Sequence, residues 1–331
     1  MNYIGSKTNL LNFLKTEIKK VAGDDLSGML FCDLFAGTGA VGRSFKNEVR
    51  QVISNDLEYY SYVLNYNAIK NSCEIADKES YIDLLNGLHV KSDGIIFNHY
   101  CRGGKSGRQY FSDENGKKID AARARIEALY QTKEINEALY MFLIASLLES
   151  ADRIANTASV YGSFLKYTKK SAMQELKILP AEFELSKNAH EVYNFDANQL
   201  IKKVQGDILY LDPPYNHRQY GANYHLLNTI ALYDDVVPQG KTGVREYISS
   251  SYCKKSEVYK SFEQLIGDAR FRYIFMSYNN EAYMHQDEIK NIMSKYGDYS
   301  FVKKEHKRFK SYKKYRASTD EHLHILRKEE Y

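Results

Sequence analysis

Short apolar runs, too brief for helices, alternate along this chain with stretches of helical periodicity. Leu10, Leu11, Leu14 and Ile18 recur at helical spacing and predict an amphipathic helix near the start. Met29-Leu30-Phe31-Cys32-Asp33-Leu34-Phe35 reads as a strand, followed by a glycine-rich turn and a helix containing Phe45. Gln51-Val52-Ile53-Ser54 predicts a second strand ending in Asn55-Asp56, with a helix over 57–71. The third strand, 191–196, comes much later and has its own acidic end. Ordinary crossover connections are far shorter, so 72–188 is expected to be an insertion into a domain formed by 1–71 and 189–331. A short helix over 197–203, a strand over 207–211, a helix through Tyr224, Leu227, Ile230 and Leu232, a strand over 270–276 and a strand over 322–326 follow. Strands alternating with helices imply an α/β fold with a mostly parallel sheet. Inside the insertion, helices are expected near 121–130 and 135–153, the second apolar almost all round and therefore buried. Between 109 and 120, Asn115-Gly116 predicts a hairpin.

Composition narrows the class. Among 331 residues, 44% are hydrophobic and 27% charged, ordinary for a globular protein. The net charge of +4 is too small to imply a polyanionic partner by itself, so the placement of the charges matters more. Cys32, Cys73, Cys101 and Cys253 have no metal-ligand or CxxC spacing; they read as reduced thiols of a cytoplasmic protein, with no metal site expected. Met1-Asn2-Tyr3-Ile4-Gly5 is not a signal peptide, and the longest apolar stretch, 138–148, is too short to span a bilayer. No membrane association is expected.

The chemistry gathers at strand ends. Asp212-Pro213-Pro214-Tyr215 follows the buried run Ile208-Leu209-Tyr210-Leu211, and half of the chain's four prolines stand there. Two prolines stop the strand and stiffen the loop. The loop offers a carboxylate, a rigid carbonyl and an aromatic ring at the carboxyl edge of the sheet, where open α/β sheets bind ligands. Two adjacent acceptors suit an exocyclic amino group, whose lone pair then leaves conjugation; the tyrosine can stack on the same planar base. Gly37-Thr38-Gly39-Ala40-Val41-Gly42 lets backbone approach a ligand, and Asp56 is placed to take ribose hydroxyls, so an adenosine-containing cofactor is expected. Asp33, just ahead of the glycines, can meet a cationic amino group, which favours S-adenosylmethionine over a nicotinamide.

These segments resemble the D12-class (α-group) DNA adenine-N6 methyltransferases over essentially the whole chain. Tyr3–Lys7, Asp33–Gly39, Asp56, Asp196 and Asp212–Tyr215 carry the resemblance, in the order cofactor loop, recognition insertion, catalytic motif. It implies a Rossmann-like methyltransferase sheet with an inserted DNA-recognition subdomain. It implies catalysis by Asp212, Pro213 and Tyr215 on a flipped-out adenine. It also implies S-adenosylmethionine held by Tyr3, Gly5, Lys7, Asp33, Phe35, Gly37, Gly39, Asp56 and Asp196, the last at the cofactor's adenine amino group.

Double-stranded DNA is the expected partner. Arg102, Lys105, Arg108 and Gln109 lie in a glycine-containing segment where seven basic residues face three acids over 101–125. Arg and Gln there suit base edges in a major groove. His217 and Arg218, beside the catalytic motif, suit phosphates. Lys310 and Lys313 belong to a run, 302–318, with eight basic residues, one acid and interleaved aromatics, suited to phosphate neutralisation and stacking. Gln239–Arg245 reads as a flexible basic loop. A monomer working beside a companion restriction endonuclease is expected. Two alternatives use the same features: an RNA or protein-amide methyltransferase, and a non-catalytic nucleic-acid-binding module of this fold. The target sequence, and any role for 155–166, are not written in the residues.

Overall fold

The strands are β1 (Leu30–Asp33), β2 (Gln51–Asn55), β3 (Glu191–Tyr193), β4 (Gln205–Leu211), β5 (Arg270–Asn279), β6 (Gly297–Lys307) and β7 (Ser318–Lys328). In the computed structural model, which describes residues 7–89, 94–279, 282–307 and 318–328, they form one sheet in the order β3-β2-β1-β4-β5-β7-β6. The first five are parallel; β7 runs antiparallel to both β5 and β6. This is the mixed α/β sheet that the strand–helix alternation predicts, with one further strand, β6, in the basic region near the end.

The chain divides into two compact units. One comprises Lys7–Leu57, Asn188–Gln219 and Ser249–Tyr331 and holds the sheet; the other is built from Glu58–Lys187 and Tyr220–Ile248 and is helical. The helical unit thus takes in the expected insertion, the helix before it and a piece following the Asp-Pro-Pro-Tyr motif. The sequence places one side chain where it explains that last addition: buried Asn228 accepts from the Tyr60 amide at 2.9 Å and donates to Glu58 at 2.6 Å.

In the sheet unit, β1 is buried along its whole length, as a strand covered on both faces must be. Alternate residues go to opposite faces. Phe31 stacks on Phe45 at 4.4 Å between ring centroids. Leu30 and Cys32 instead join the core formed with Val258, Phe262, Leu265 and Ile266, whose spacing marks one face of the helix Val258–Asp268. The strand order reverses between β1 and β4, so their carboxyl ends flank the crevice where such sheets bind ligands.

In the helical unit, Glu137–Ile154 is buried over most of its length, as its all-round apolarity predicts. The hairpin expected at Asn115-Gly116 is not there. These residues lie in the first turn of the helix Asp113–Gln131, capped by Ser112, whose hydroxyl accepts from the Asn115 amide at 3.2 Å. Tertiary packing overrides the turn preference. The Asn115 amide side chain pairs with the Gln174 carbonyl and the Leu176 amide, both at 2.8 Å. Gly116 sits where a Cβ would come within 2.1 Å of Cys101 Sγ.

The segment Gln239–Arg245 also differs from the flexible loop expected. Gln239 and Val244 exchange backbone hydrogen bonds of 2.8 and 3.0 Å, closing a tight antiparallel turn. The stretch after Ile154 is likewise ordered by one side chain, Asn156, which donates to the carbonyls of Gln109 and Leu165 at 3.1 and 3.0 Å. No helix among the described residues is long and apolar enough to cross a membrane.

Candidate active site

The candidate site lies in the sheet unit and is built on the ends of β1, β2, β3 and β4. Asp33 closes β1 and is 1% exposed. The chain then turns sharply, with Gly37 and Gly39 at φ 53° and 78°, a conformation that disfavours a side chain. This turn leads into the helix Ala40–Phe45. Asp33 Oδ2 accepts from the Gly42 amide at 2.9 Å, while Oδ1 is buried with no hydrogen-bond partner among the described residues.

The glycine turn is anchored from the neighbouring strand. Asp56 Oδ2 accepts from the Gly37 amide at 2.8 Å, and the Asn55 carbonyl accepts from Ala36 N–H at 2.9 Å. Buried Asn55 donates to the carbonyls of Leu34 and Phe195, both at 3.1 Å, and accepts from the Phe195 amide at 3.0 Å. Asn194 donates to the carbonyls of Asp56 and Leu57 at 2.8 and 2.9 Å. These two asparagines fix the loops after β1, β2 and β3 relative to one another. Sequence reasoning missed both; the signal available was an asparagine at each strand end, next to or near a predicted cofactor acid. Asp196 caps the helix Ala197–Leu200, its Oδ1 accepting from the Gln199 amide at 3.2 Å. Phe35 is half-buried and meets the Tyr252 ring edge-on at 5.0 Å.

Asp212 follows the last residue of β4, and β4 pairs with β1 in a register that sets Tyr210 opposite Asp33. Lys7 Nζ lies 2.9 Å from Asp212 Oδ1 and 3.1 Å from Glu321 Oε1, with all three side chains largely buried. Burial opposes the charge on Lys7, but the two carboxylates outweigh it and hold the ammonium well above its ordinary range. Burial also pushes Asp212 up to about 6; Lys7 pulls it down and Glu321 pushes it up. Glu321 gives no signal in the sequence, since the apolar run that marks β7 begins after it. Pro213 is buried and Tyr215 half-buried, its carbonyl accepting from the Tyr283 amide at 3.1 Å. His217 and Arg218 are exposed.

Asp33 is raised to about 7, first by burial, against the Gly42 amide, and further by Asp212 and Asp56. A buried, incompletely paired carboxylate facing two others is a site that a cation would relieve. That observation fits a ligand with an ammonium and a sulfonium, the two charges of S-adenosylmethionine. Among the described residues no cluster of His, Cys, Asp or Glu could hold a metal.

Of the expected DNA contacts, Arg102 and Lys105 are exposed in the helical unit. Gln109 is half-buried, and Arg108 turns its guanidinium onto backbone carbonyls of His99, Gly240 and Lys241 at 2.8, 2.8 and 3.2 Å. Tyr3, Gly5, Lys310 and Lys313 lie outside the described residues.

A family model described as D12 class N6 adenine-specific DNA methyltransferase matches residues 3–319. The chain belongs to that family. Type II methyltransferase M.NlaIII of Neisseria lactamica is 58% identical over 333 residues, covering 99% of each chain. Type II methyltransferase M.CviAII of Paramecium bursaria Chlorella virus 1 is 38% identical over 94% of this chain and 93% of its own. Type II methyltransferase M.FokI of Planomicrobium okeanokoites is 40% identical over 96% of this chain but 51% of its own length. As a D12-class adenine-N6 DNA methyltransferase, the protein takes DNA as substrate and S-adenosylmethionine as methyl donor. The RNA and protein-amide readings are not favoured, nor is the non-catalytic one.

Proposed function

We propose that Asp212, Pro213 and Tyr215 perform methylation of a flipped-out adenine, with Lys7 and Glu321 setting the charge of Asp212. The observation that carries this reading is the adjacency of Asp33 and Asp212 at the carboxyl ends of two paired strands at the topological switch point, with an ammonium held against Asp212. S-adenosylmethionine supplies an electrophilic methyl group. Asp33, Gly37, Gly39, Asp56 and Asp196, with Phe35 at the edge, are the groups that would hold it; Tyr3 and Gly5 are proposed for the same role from the sequence, whereas Lys7, expected there too, is turned onto Asp212 and Glu321 instead.

Asp212 acts as a hydrogen-bond acceptor and is a stronger one when ionised. Lys7 favours that state and takes one carboxylate oxygen, leaving the other to accept from the adenine amino group beside the Pro213 carbonyl. Accepting both amino hydrogens would pyramidalise N6 and free its lone pair to bond the methyl carbon as that carbon's bond to sulfur breaks, the sulfonium leaving as a neutral thioether; the extra proton on N6 would then pass to water. Tyr215 stacks on the extruded base and offsets the cost of unstacking, about a few kcal/mol. Positioning and electrostatics supply the acceleration, with no covalent enzyme intermediate. His217, Arg218, Lys310 and Lys313 are proposed at phosphates, and Arg102, Lys105 and Gln109 in target recognition. We read the enzyme as a cytoplasmic monomer that marks sites against a companion endonuclease.

The test is transfer of labelled methyl groups to unmethylated genomic DNA, with mapping of the modified base. N6-methyladenine at one recurring sequence is expected. Asp212→Ala should abolish transfer while still binding cofactor; near wild-type transfer by that variant would overturn the catalytic assignment.

A further inference from the structure

Two loops of the helical unit, distant in sequence, are built together. The first is the segment after the helix Ile95–Tyr100, closed by a bridge between Cys101 and Phe111. The second is the turn closed by Gln239 and Val244. Arg108 of the first loop spends three guanidinium hydrogens on backbone, including the carbonyls of Gly240 and Lys241 in the second. Tyr100 Oη donates to the Gly243 carbonyl at 2.8 Å, and Tyr110 Oη shares its hydrogen between the carbonyls of Tyr161 and Thr242 at 2.6 and 2.9 Å. Gly243 has φ 74°, and a Cβ there would approach Tyr100 and Arg108 to 2.9 and 3.0 Å. The second loop is therefore fitted to the first by its backbone, and its side chains are left outward.

What points outward has one character. Arg102, Lys105 and Ser106 on one loop, and Gln239 and Lys241 on the other, are all exposed. Neither 101–109 nor 239–243 contains an acidic residue. A surface of cations with one exposed amide side chain, on a backbone pinned in place, suits base edges flanked by phosphates.

We infer that the paired loops form a single target-reading surface, in which Gln239 and Lys241 contact base edges and Arg108 is a positioning residue that sets their height. This deepens the methyltransferase reading and rests on it. It moves part of the recognition surface out of the insertion and into the segment after the catalytic motif. Fixing those side chains matters because a mobile loop would lose the entropy of ordering at each binding event.

The experiment uses the full-length enzyme and maps methylation of genomic DNA, followed by kcat/KM on the cognate site and on sites with one base pair changed. For Gln239→Ala and for Lys241→Ala, the ratio of cognate to near-cognate kcat/KM should fall roughly tenfold or more, the worth of one bidentate base contact. Arg108→Lys, which keeps the charge but cannot span three carbonyls, should relax the same ratio with an unchanged KM for S-adenosylmethionine. Arg108→Ala, checked for folding by thermal unfolding, should relax it further. A uniform loss of affinity across all sites, with the ratio intact in the Gln239 and Lys241 variants, would overturn the inference. Failure of the wild-type enzyme to methylate any DNA would instead count against the methyltransferase reading beneath it.

Discussion

Lys7 Nζ stands 2.9 Å from Asp212 Oδ1, so the opening segment of the chain supplies the counter-ion of a carboxylate far downstream. The ammonium is what keeps a buried Asp212 from rising beyond about 6. In Lys7→Met, burial and Glu321 act unopposed, and the Asp212 carboxyl should titrate at higher pH. Loss of the ionised acceptor then reaches into the neutral range. With S-adenosylmethionine saturating, the acidic limb of kcat/KM for DNA should move upward; once it passes neutrality, activity at pH 7 should fall about tenfold for every further pH unit. An unmoved limb in a pH–rate profile would disconnect Lys7 from Asp212.

Glu321 predicts the opposite sign. It pushes Asp212 up and shares Lys7 with it, at 3.1 Å from the ammonium. In Glu321→Gln one negative charge leaves and Lys7 can commit to Asp212. The acidic limb should move to lower pH, and Glu321→Asp should restore part of the wild-type profile. Burial, the largest cause of the rise, remains in this variant, and the buried Asp33 carboxyl is also close by, so the limb will not fall to that of a free carboxylate. A shift upward in the Gln variant would show that Glu321 acts only through packing.

Asp33 links cofactor binding to pH. Its carboxyl is raised to about 7 by burial and by two neighbouring carboxylates, well above an unfolded Asp. Between the unfolded value and about 7, the native state holds a proton that the unfolded chain has released. The free enzyme therefore loses stability from this group as pH rises through that window. A cationic cofactor favours the ionised form and reverses the penalty. Affinity for S-adenosylmethionine should be flat above about pH 7 and fall up to about tenfold per pH unit below it. The gain in Tm on adding cofactor should be larger near pH ~8 than near pH ~6. Asp33→Asn should bind weakly at every pH, without that inflection; an inflection that survives in Asp33→Asn would assign the titration to another group.

Most of the sheet is legible in the sequence because its code is local. The apolar runs at Leu30, Ile53 and Ile208 are bounded by glycines, prolines or acids that only a strand end explains, and β1, β2 and β4 lie there. The elements that differ from expectation depend on partners far along the chain. Asn115-Gly116 has the composition of a turn, but its conformation is set by the backbone of Gln174 and Leu176 and by Cys101. Gln239–Arg245 has the composition of a mobile loop and is pinned by Arg108, Tyr100 and Tyr110. The candidate site divides the same way. Asp33, Asp56 and Asp212 stand at strand ends and can be named from the sequence. The partnership of Lys7 with Glu321 joins the two ends of the chain, and no local pattern announces it.

Gly116 turns that lesson into a stability measurement. On a free helix surface, Gly→Ala stabilises by about 1 kcal/mol through backbone entropy. Here the added methyl would meet Cys101 Sγ at 2.1 Å, in a buried contact. Gly116→Ala should therefore destabilise, by about 1–3 kcal/mol in denaturant unfolding, the ordinary cost of overpacking. Removing the sulfur should relieve it: Cys101→Ala alone leaves a small void, but in the double variant the new methyl fills part of it. The two substitutions should thus be non-additive, with a coupling of about 1 kcal/mol or more in the stabilising direction. Simple additivity would mean that Gly116 and Cys101 do not touch, and the packing that overrides the Asn-Gly turn would have to lie elsewhere.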